Sequence, residues 1–284
     1  GMGEGLWCGL FHSATAFCNA GFDIIGGTDS LRIFNDEVYV NIVIIVLMFL
    51  GGIGFFVIED IWTCFKKSKL EKISFQTKIV LSTSLIVLVI SLILIKIFEP
   101  NISFLEDLFT SLALRTTGFT TIDFSKINVI TKFICCIFMF IGGAPGSTSG
   151  GIRENVVAIL CLVVSATLRE KREVVVFYRR IDQDTIRKAV TIVILGLIVI
   201  LIGTILLLHL ESLQLEDTAF HVISAFSEVG ISYVDLGSFN QISQLVLMFI
   251  MFIGRVEPIA ILSIFLVERK ERQDIGYPDA NIIL

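Results

Sequence analysis

Apolar runs at Asn41–Phe56, Ile79–Ile97, Phe133–Gly142, Asn155–Leu168, Ala189–Leu208 and Leu245–Leu266 leave few folds open to this chain. A helix needs about 20 apolar residues to cross the roughly 30 Å hydrocarbon core of a bilayer. Some of the runs reach that length and others fall short. In a polytopic membrane protein, short or glycine-interrupted runs point to re-entrant or broken helices. Bare backbone at membrane depth survives only where it is buried in protein or lines a water-filled path. Hydrophobic residues make up 55% of the chain and charged residues 17%, which excludes an ordinary soluble domain.

Basic residues gather between the runs in three clusters: Lys66, Lys67, Lys69, Lys72 and Lys78; then Arg169, Lys171, Arg172, Arg179, Arg180, Arg187 and Lys188; then Arg269, Lys270 and Arg272. Short cytoplasmic loops are rich in Lys and Arg, so these clusters and the C-terminal tail are expected inside the cell. The alternating loops carry Glu99, Glu106 and Asp107, then Glu211, Glu216 and Asp217, and are expected outside. Each basic cluster is flanked by a span, which argues against a nucleic-acid partner and for membrane lipid. Cys8, Cys18, Cys64, Cys135, Cys136 and Cys161 show no metal-ligand spacing and lie mostly in apolar surroundings. Neither a disulfide framework nor a zinc site is expected.

The chain contains an internal repeat. Without gaps, Gly21, Gly118 and Gly230 align, at spacings of 97 and 112 residues. Ten residues before each stands Phe11, Leu108 or Phe220; five before, Ala16, Ala113 or Ala225; one after, Phe22, Phe119 or Ile231. Each block is about ten mostly apolar residues, a small or polar triplet, the Gly and a large apolar residue, followed by an apolar span. The second and third blocks are also preceded by one. The unit is therefore outer helix, half-membrane helix, Gly-containing loop and inner helix. Gly1–Leu10 is no signal peptide, having no basic segment before an apolar core. The sequence thus opens in the middle of a unit, and an N-terminal truncation is expected.

This unit suits a cation. A helix of about ten residues cannot span the bilayer, and its C-terminal end carries partial negative charge. The loop beyond it has carbonyls that no helix uses, and rings of such carbonyls can replace the hydration shell of K⁺. A Gly in each loop permits positive φ, which turns successive carbonyls toward one axis.

The segments Phe11–Asp23 (FHSATAFCNAGFD), Leu112–Phe119 (LALRTTGF) and Phe220–Ser232 (FHVISAFSEVGIS) resemble the second, third and fourth selectivity-filter segments of the Trk/Ktr/HKT superfamily of K⁺ transporters, most closely the KtrB-type membrane subunit. The resemblance implies an all-α integral membrane fold, with repeated outer helix–pore helix–filter loop–inner helix units arranged pseudo-symmetrically around a pore. Residues 1–68 would hold the second repeat without its outer helix. Residues 69–180 would hold the third, and residues 181–284 the fourth with a cytoplasmic tail. The implied function is K⁺ uptake across the bacterial plasma membrane, with K⁺ or Na⁺ as cargo and no enzymatic activity. Filter residues carried over are Asn19, Ala20, Gly21 and Phe22; Thr116, Thr117, Gly118 and Phe119; Glu228, Val229, Gly230 and Ile231.

Ile141–Arg153 (IGGAPGSTSGGIR) puts Pro and several Gly where an inner helix should run, and both break helix there. It lacks the Gly and Lys spacing of a phosphate-cradling loop; an ordinary extramembrane turn remains an alternative. The resemblance implies a gating loop beneath the filter, formed by Gly142, Gly143, Gly146, Ser147, Thr148, Gly150 and Gly151, with Arg255 facing the same cavity. An intramembrane Arg is costly unless paired or hydrated; the alternative for Arg255 is an ion pair with Glu257. Arg115, just before the third filter loop, is expected to cap carbonyls or pair with an acid behind the filter. Arg153 is either a gate latch or a surface residue. His12 and His221 occupy matching repeat positions and are read, with His209, as packing residues.

Two residues depart from the family pattern. Glu228 stands where a small or hydroxyl residue is usual, either coordinating an ion or pointing backward to Arg115, the preferred reading. Glu257 replaces a common Gly. The competing functions are an ion-coupled alternating-access transporter, for which mid-membrane acids beyond Glu228 and Glu257 are missing, and a non-functional truncated copy. The resemblance also implies a second copy of the subunit and a cytosolic nucleotide-binding regulatory ring, with nucleotide only on that partner.

Overall fold

The computed structural model describes residues 2–25, 30–66, 73–171 and 173–256. Lys67, Lys69, Lys72, Arg172, Glu257, Arg269, Lys270 and Arg272 lie outside the described residues, as does the C-terminal tail. The described residues are almost wholly helical: α1 (Met2–Phe17), α2 (Val38–Ile53), α3 (Phe55–Lys66), α4 (Phe75–Phe98), α5 (Phe104–Ala113), α6 (Val129–Phe140), α7 (Glu154–Leu168), α8 (Gln183–Leu210), α9 (Leu215–Phe226) and α10 (Gln241–Val256).

Among the described residues α4 and α8, of 24 and 28 residues, are long and apolar enough to cross a membrane unaided. Both extend past the apolar runs that announced them. Their outward faces, with Leu85, Ile86 and Ile93 on α4 and Leu197, Leu201 and Ile205 on α8, are exposed aliphatic stripes suited to lipid. Their inner faces hold the short helices. α4 packs on α5, α6 and α7, and α8 packs on α7, α9 and α10. Buried Phe109, Phe119, Phe220 and Phe226 fill the space between.

The run Asn41–Phe56 is not one helix. It breaks at Gly54, which has φ of 86°, and α3 turns 96° away from α2. A Cβ on Gly54 would lie 2.7 Å from the Pro145 carbonyl oxygen, so only Gly permits this corner against the following loop.

Side-chain caps set the helix starts. Ser103 and Glu106 form a reciprocal capping box at α5, and Asn128 accepts from the Ile130 amide at α6. Acids at the ends of the long helices tie these starts down. Glu99 Oε1 accepts from the Asn128 amide at 2.8 Å, and Glu211 Oε1 from the Asn240 amide at 2.8 Å. Both bonds span 29 residues, so the ungapped third-to-fourth repeat spacing extends well beyond the filter blocks.

Between α7 and α8, Arg179 and Arg180 of the second basic cluster pair with Val175–Val176 in a small hairpin. Its turn residues Phe177 and Tyr178 have φ of 46° and 61°, the mirror-image turn that matches strand twist.

Candidate functional site: three glycine loops over a broken helix

After α1, α5 and α9 the chain does not leave the helix end abruptly. Amides fold back onto the last helical carbonyls: Ala20 to Thr15 at 2.9 Å, Thr117 to Ala113 at 3.0 Å and Val229 to Ser224 at 2.9 Å. The two residues flanking each of these amides then take positive φ. They are Asn19 (50°) and Gly21 (63°), Thr116 (89°) and Gly118 (81°), Glu228 (56°) and Gly230 (80°). Ala20, Thr117 and Val229 between them do not. Left-handed φ at Asn19, Thr116 and Glu228 is strained for a residue with a Cβ, and most tolerable for Asn.

The loops touch one another. A Cβ on Gly21 would fall 2.0 Å from the Thr117 carbonyl oxygen, and one on Gly118 would fall 2.0 Å from that of Val229. Gly230 meets nothing within 4 Å among the described residues. The strands after α1 and α9 are held to their half-helices. The hydroxyls of Thr15 and Ser224 donate to the carbonyls of Phe22 and Ile231 at 3.3 and 2.9 Å. His12 and His221 turn Nδ1 to the carbonyls of Cys8 and Asp217, and Nε2 to Asp23 and Ser232 at 3.0 and 3.1 Å. Both imidazoles therefore fasten the loops. Phe119, Val229 and Ile231 are buried, while Phe22 is exposed.

Directly against these loops lies the stretch from Ile141 to Ile152. It leaves α6 and returns to begin α7, its ends joined by the Gly142 amide donating to Ile152 at 2.7 Å. A Cβ on Gly142 would meet the Gly150 carbonyl oxygen at 2.1 Å, and one on Gly143 the Ser149 Oγ at 2.4 Å. The Ala144 amide donates to Gly52 at 3.0 Å, and the Phe55 amide donates to Gly146 at 3.2 Å, which joins the stretch to the corner between α2 and α3.

Thr148 is where the parts meet. Asn19 accepts a hydrogen bond from the Thr117 hydroxyl at 2.8 Å and donates to the Thr148 hydroxyl at 3.0 Å. Arg255 Nη1 donates to the Thr148 carbonyl at 2.7 Å and to Glu228 Oε2 at 2.7 Å. Arg153 Nη1 donates to the Ser149 carbonyl at 2.7 Å, so this side chain braces the stretch itself. Ser147 caps the turn, its hydroxyl accepting from the Ser149 amide at 3.3 Å.

Two sequence expectations are corrected. Glu228 pairs with Arg255 rather than Arg115, because its side chain descends toward α10. Arg115 is buried and pairs instead with Glu154, and Ser84 hydrogen-bonds to both. Glu154 is itself fully buried, so the spans do carry an internal acid that the sequence reading had not counted. Its engagement with Arg115 and Ser84 makes it a strut behind the loop that follows α5. The charge at the head of Asn155–Leu168 was the available signal, since an acid beginning an apolar span demands a partner. Gly51 and Gly254 were also missed. A Cβ on either would meet the carbonyl oxygen of Phe17 or Phe226, at 1.9 and 1.8 Å, the same place in two repeats.

Half-helices ending in touching carbonyl-rich loops, set over a broken helix and sheathed by long apolar helices, define a helical membrane protein built to handle a cation. The chain belongs to the TrkH family of cation transport proteins, whose pattern matches residues 3–274. It is similar to the potassium/sodium uptake protein NtpJ of Enterococcus hirae, at 30% identity over 100% of this chain and 65% of that protein. Ktr system potassium uptake protein B of Vibrio alginolyticus is 28% identical over 100% of this chain and 64% of its own length. The Bacillus subtilis protein of the same name is 30% identical over 99% and 64%. The chain thus spans about two thirds of the length of these relatives. In fold it is similar to the potassium transporter TrkH of Vibrio parahaemolyticus, with a TM-score of 0.74 at 18% identity, over 89% of this chain and 56% of that one.

Proposed function

We propose that this chain is the pore-forming part of a K⁺ uptake system in a bacterial plasma membrane, with its C-terminal tail in the cytoplasm. Asn19–Phe22, Thr116–Phe119 and Glu228–Ile231 line the filter, and dehydrated K⁺ is held by their backbone oxygens. The stretch from Gly142 to Gly151, with Arg255, forms the gate below. The observation that carries this reading is the contact of Gly21 with Thr117 and of Gly118 with Val229, each at a left-handed glycine. Such contacts bring carbonyl-bearing strands side by side at the ends of half-helices whose dipoles favour a cation.

The proposal includes Na⁺ as a second cargo, Na⁺ being named with K⁺ for the Enterococcus hirae relative, and Na⁺-dependent K⁺ uptake as the coupled form of the same activity. A second copy of the subunit and a cytosolic nucleotide-binding ring complete the proposed assembly. The basic hairpin between α7 and α8 faces that ring. Growth of a K⁺-uptake-deficient bacterium on low K⁺, with Rb⁺ uptake in the same cells, tests the reading. Expression that restores neither would overturn it.

A further inference from the structure

Glu228 is placed with unusual care for a residue adjoining a filter. It adopts φ of 56°, a conformation few carboxylate residues hold without cause. The stretch below makes room for it. A Cβ on Gly150 would lie 2.7 Å from both Cγ and Oε2 of Glu228, so Gly150 admits this side chain. Gly151 approaches Ser227 in the same way, at 3.2 Å. From the other side Gly254 brings α10 onto the Phe226 carbonyl, which sets Arg255 beside the carboxylate. One guanidinium nitrogen, Nη1, then serves both Glu228 Oε2 and the Thr148 carbonyl. The Arg255 side chain is 52% exposed and that of Glu228 21%, so an ion crossing this space meets both charges.

We infer that Glu228 is the counter-charge of Arg255, so that the two form a neutral latch joining the fourth filter loop, the gating loop and α10. A bare Arg255 would repel every cation leaving the filter; the pair does not. Glu228 is thus a positioning and conductance-determining residue for a monovalent cation. It holds Arg255 on Thr148 and cancels its field. The inference rests on the transport reading above. It adds that the charge balance at this point, rather than Arg255 alone, sets the rate of passage.

Rb⁺ uptake by the protein expressed from its whole gene, in K⁺-uptake-deficient cells, tests this with Glu228→Gln, Arg255→Gln, the double variant and the charge exchange Glu228→Arg/Arg255→Glu. Membrane abundance is measured alongside. Glu228→Gln should lower the maximal rate about tenfold and leave the KM for Rb⁺ within about twofold, because entry to the filter is unaltered. The double variant, again neutral, should recover to within about threefold of the parent. A structural role alone would show as lost membrane abundance with uptake per molecule unchanged, so the variants are compared at equal abundance. Unchanged uptake by Glu228→Gln, or a double variant no faster than Glu228→Gln at equal abundance, would overturn the inference while leaving the transport reading intact. Should Glu228→Gln fail to accumulate, the charge exchange decides: uptake supports the latch, and its absence in a protein of normal abundance refutes it. A parent protein without Rb⁺ uptake would sink both.

Discussion

Arg115 at the end of one half-helix is bound to Glu154 at the start of α7, 39 residues on, with the Ser84 hydroxyl touching both. The pair lies beside the third-repeat loop and fastens α5 to both α4 and α7. Burying two charges is unfavourable unless they are paired and hydrogen-bonded, and this pair is both.

Removing one partner should therefore be far worse than removing both. Glu154→Ala, which leaves the Arg115 guanidinium buried and unmatched, is expected to lose about 3–5 kcal/mol of stability. Arg115→Met with Glu154→Leu should fall well short of that loss. Thermal unfolding in detergent, followed by tryptophan fluorescence, distinguishes them; equal losses would mean the pair is not the strut described.

Gly118→Ala and Gly230→Ala should differ although the residues align. Both have φ near 80°, but among the described residues a Cβ collides with a neighbouring carbonyl at Gly118, at 2.0 Å, and meets nothing at Gly230. Gly118→Ala should abolish Rb⁺ uptake. Gly230→Ala meets only the left-handed strain of about 1–2 kcal/mol and should keep a measurable fraction. Identical behaviour would show that strain, not loop contact, governs both.

The outer loops should lose stability in acid through Asp123. The Ser125 hydroxyl, then the Ser125 amide and the charges of Lys126 and Arg32, hold its carboxyl at about 2, below its ordinary 3.8. Arg32 Nη2 lies 3.4 Å away, joining the loop after the first filter segment to the loop after the second. A depressed carboxyl stabilises the fold above its unfolded pKa, and that stabilisation disappears as pH falls from about 4 to about 2. The melting temperature should drop through this window in the parent and less steeply in Asp123→Asn. Parallel curves would remove Asp123 from the account.

Glu99 and Glu211 give a matched pair of variants. Each carboxylate accepts the amide that opens the following inner helix, at 2.8 Å. Replacement by Ala should cost about 1.5–3 kcal/mol at either position, as for hydrogen bonds to a charged group. Thermal shifts differing severalfold would show that the repeats do not share this brace.

The repeat was legible because backbone demands leave local traces: glycine where φ must be positive, a small residue five positions earlier at Ala16, Ala113 and Ala225, and Pro145 among glycines where a span must stop. The corner at Gly54 was not legible. Gly51, Gly52 and Gly54 interrupt one apolar run and permit a break, but which of them turns the chain is seen only with Pro145 and Gly146 pressed against Gly54. The partners of Glu228 and Arg115 were hidden for a related reason. Their companions lie 27 and 39 residues away on other helices, and sequence order does not say which side chains a fold will bring together. Acids at Glu99 and Glu211 were read only as markers of the outer face, though each also anchors a helix.

The right-angled corner at Gly54 has a mechanical consequence. α3 is a crank set across the end of α2, and its first amide, that of Phe55, is clasped by Gly146. Swinging α3 about that pivot must either snap this clasp or drag the looped stretch sideways from under the glycine strands. Force applied at the far end of α3 would thus be converted into displacement of the stretch beneath the glycine strands, without any movement of the strands themselves.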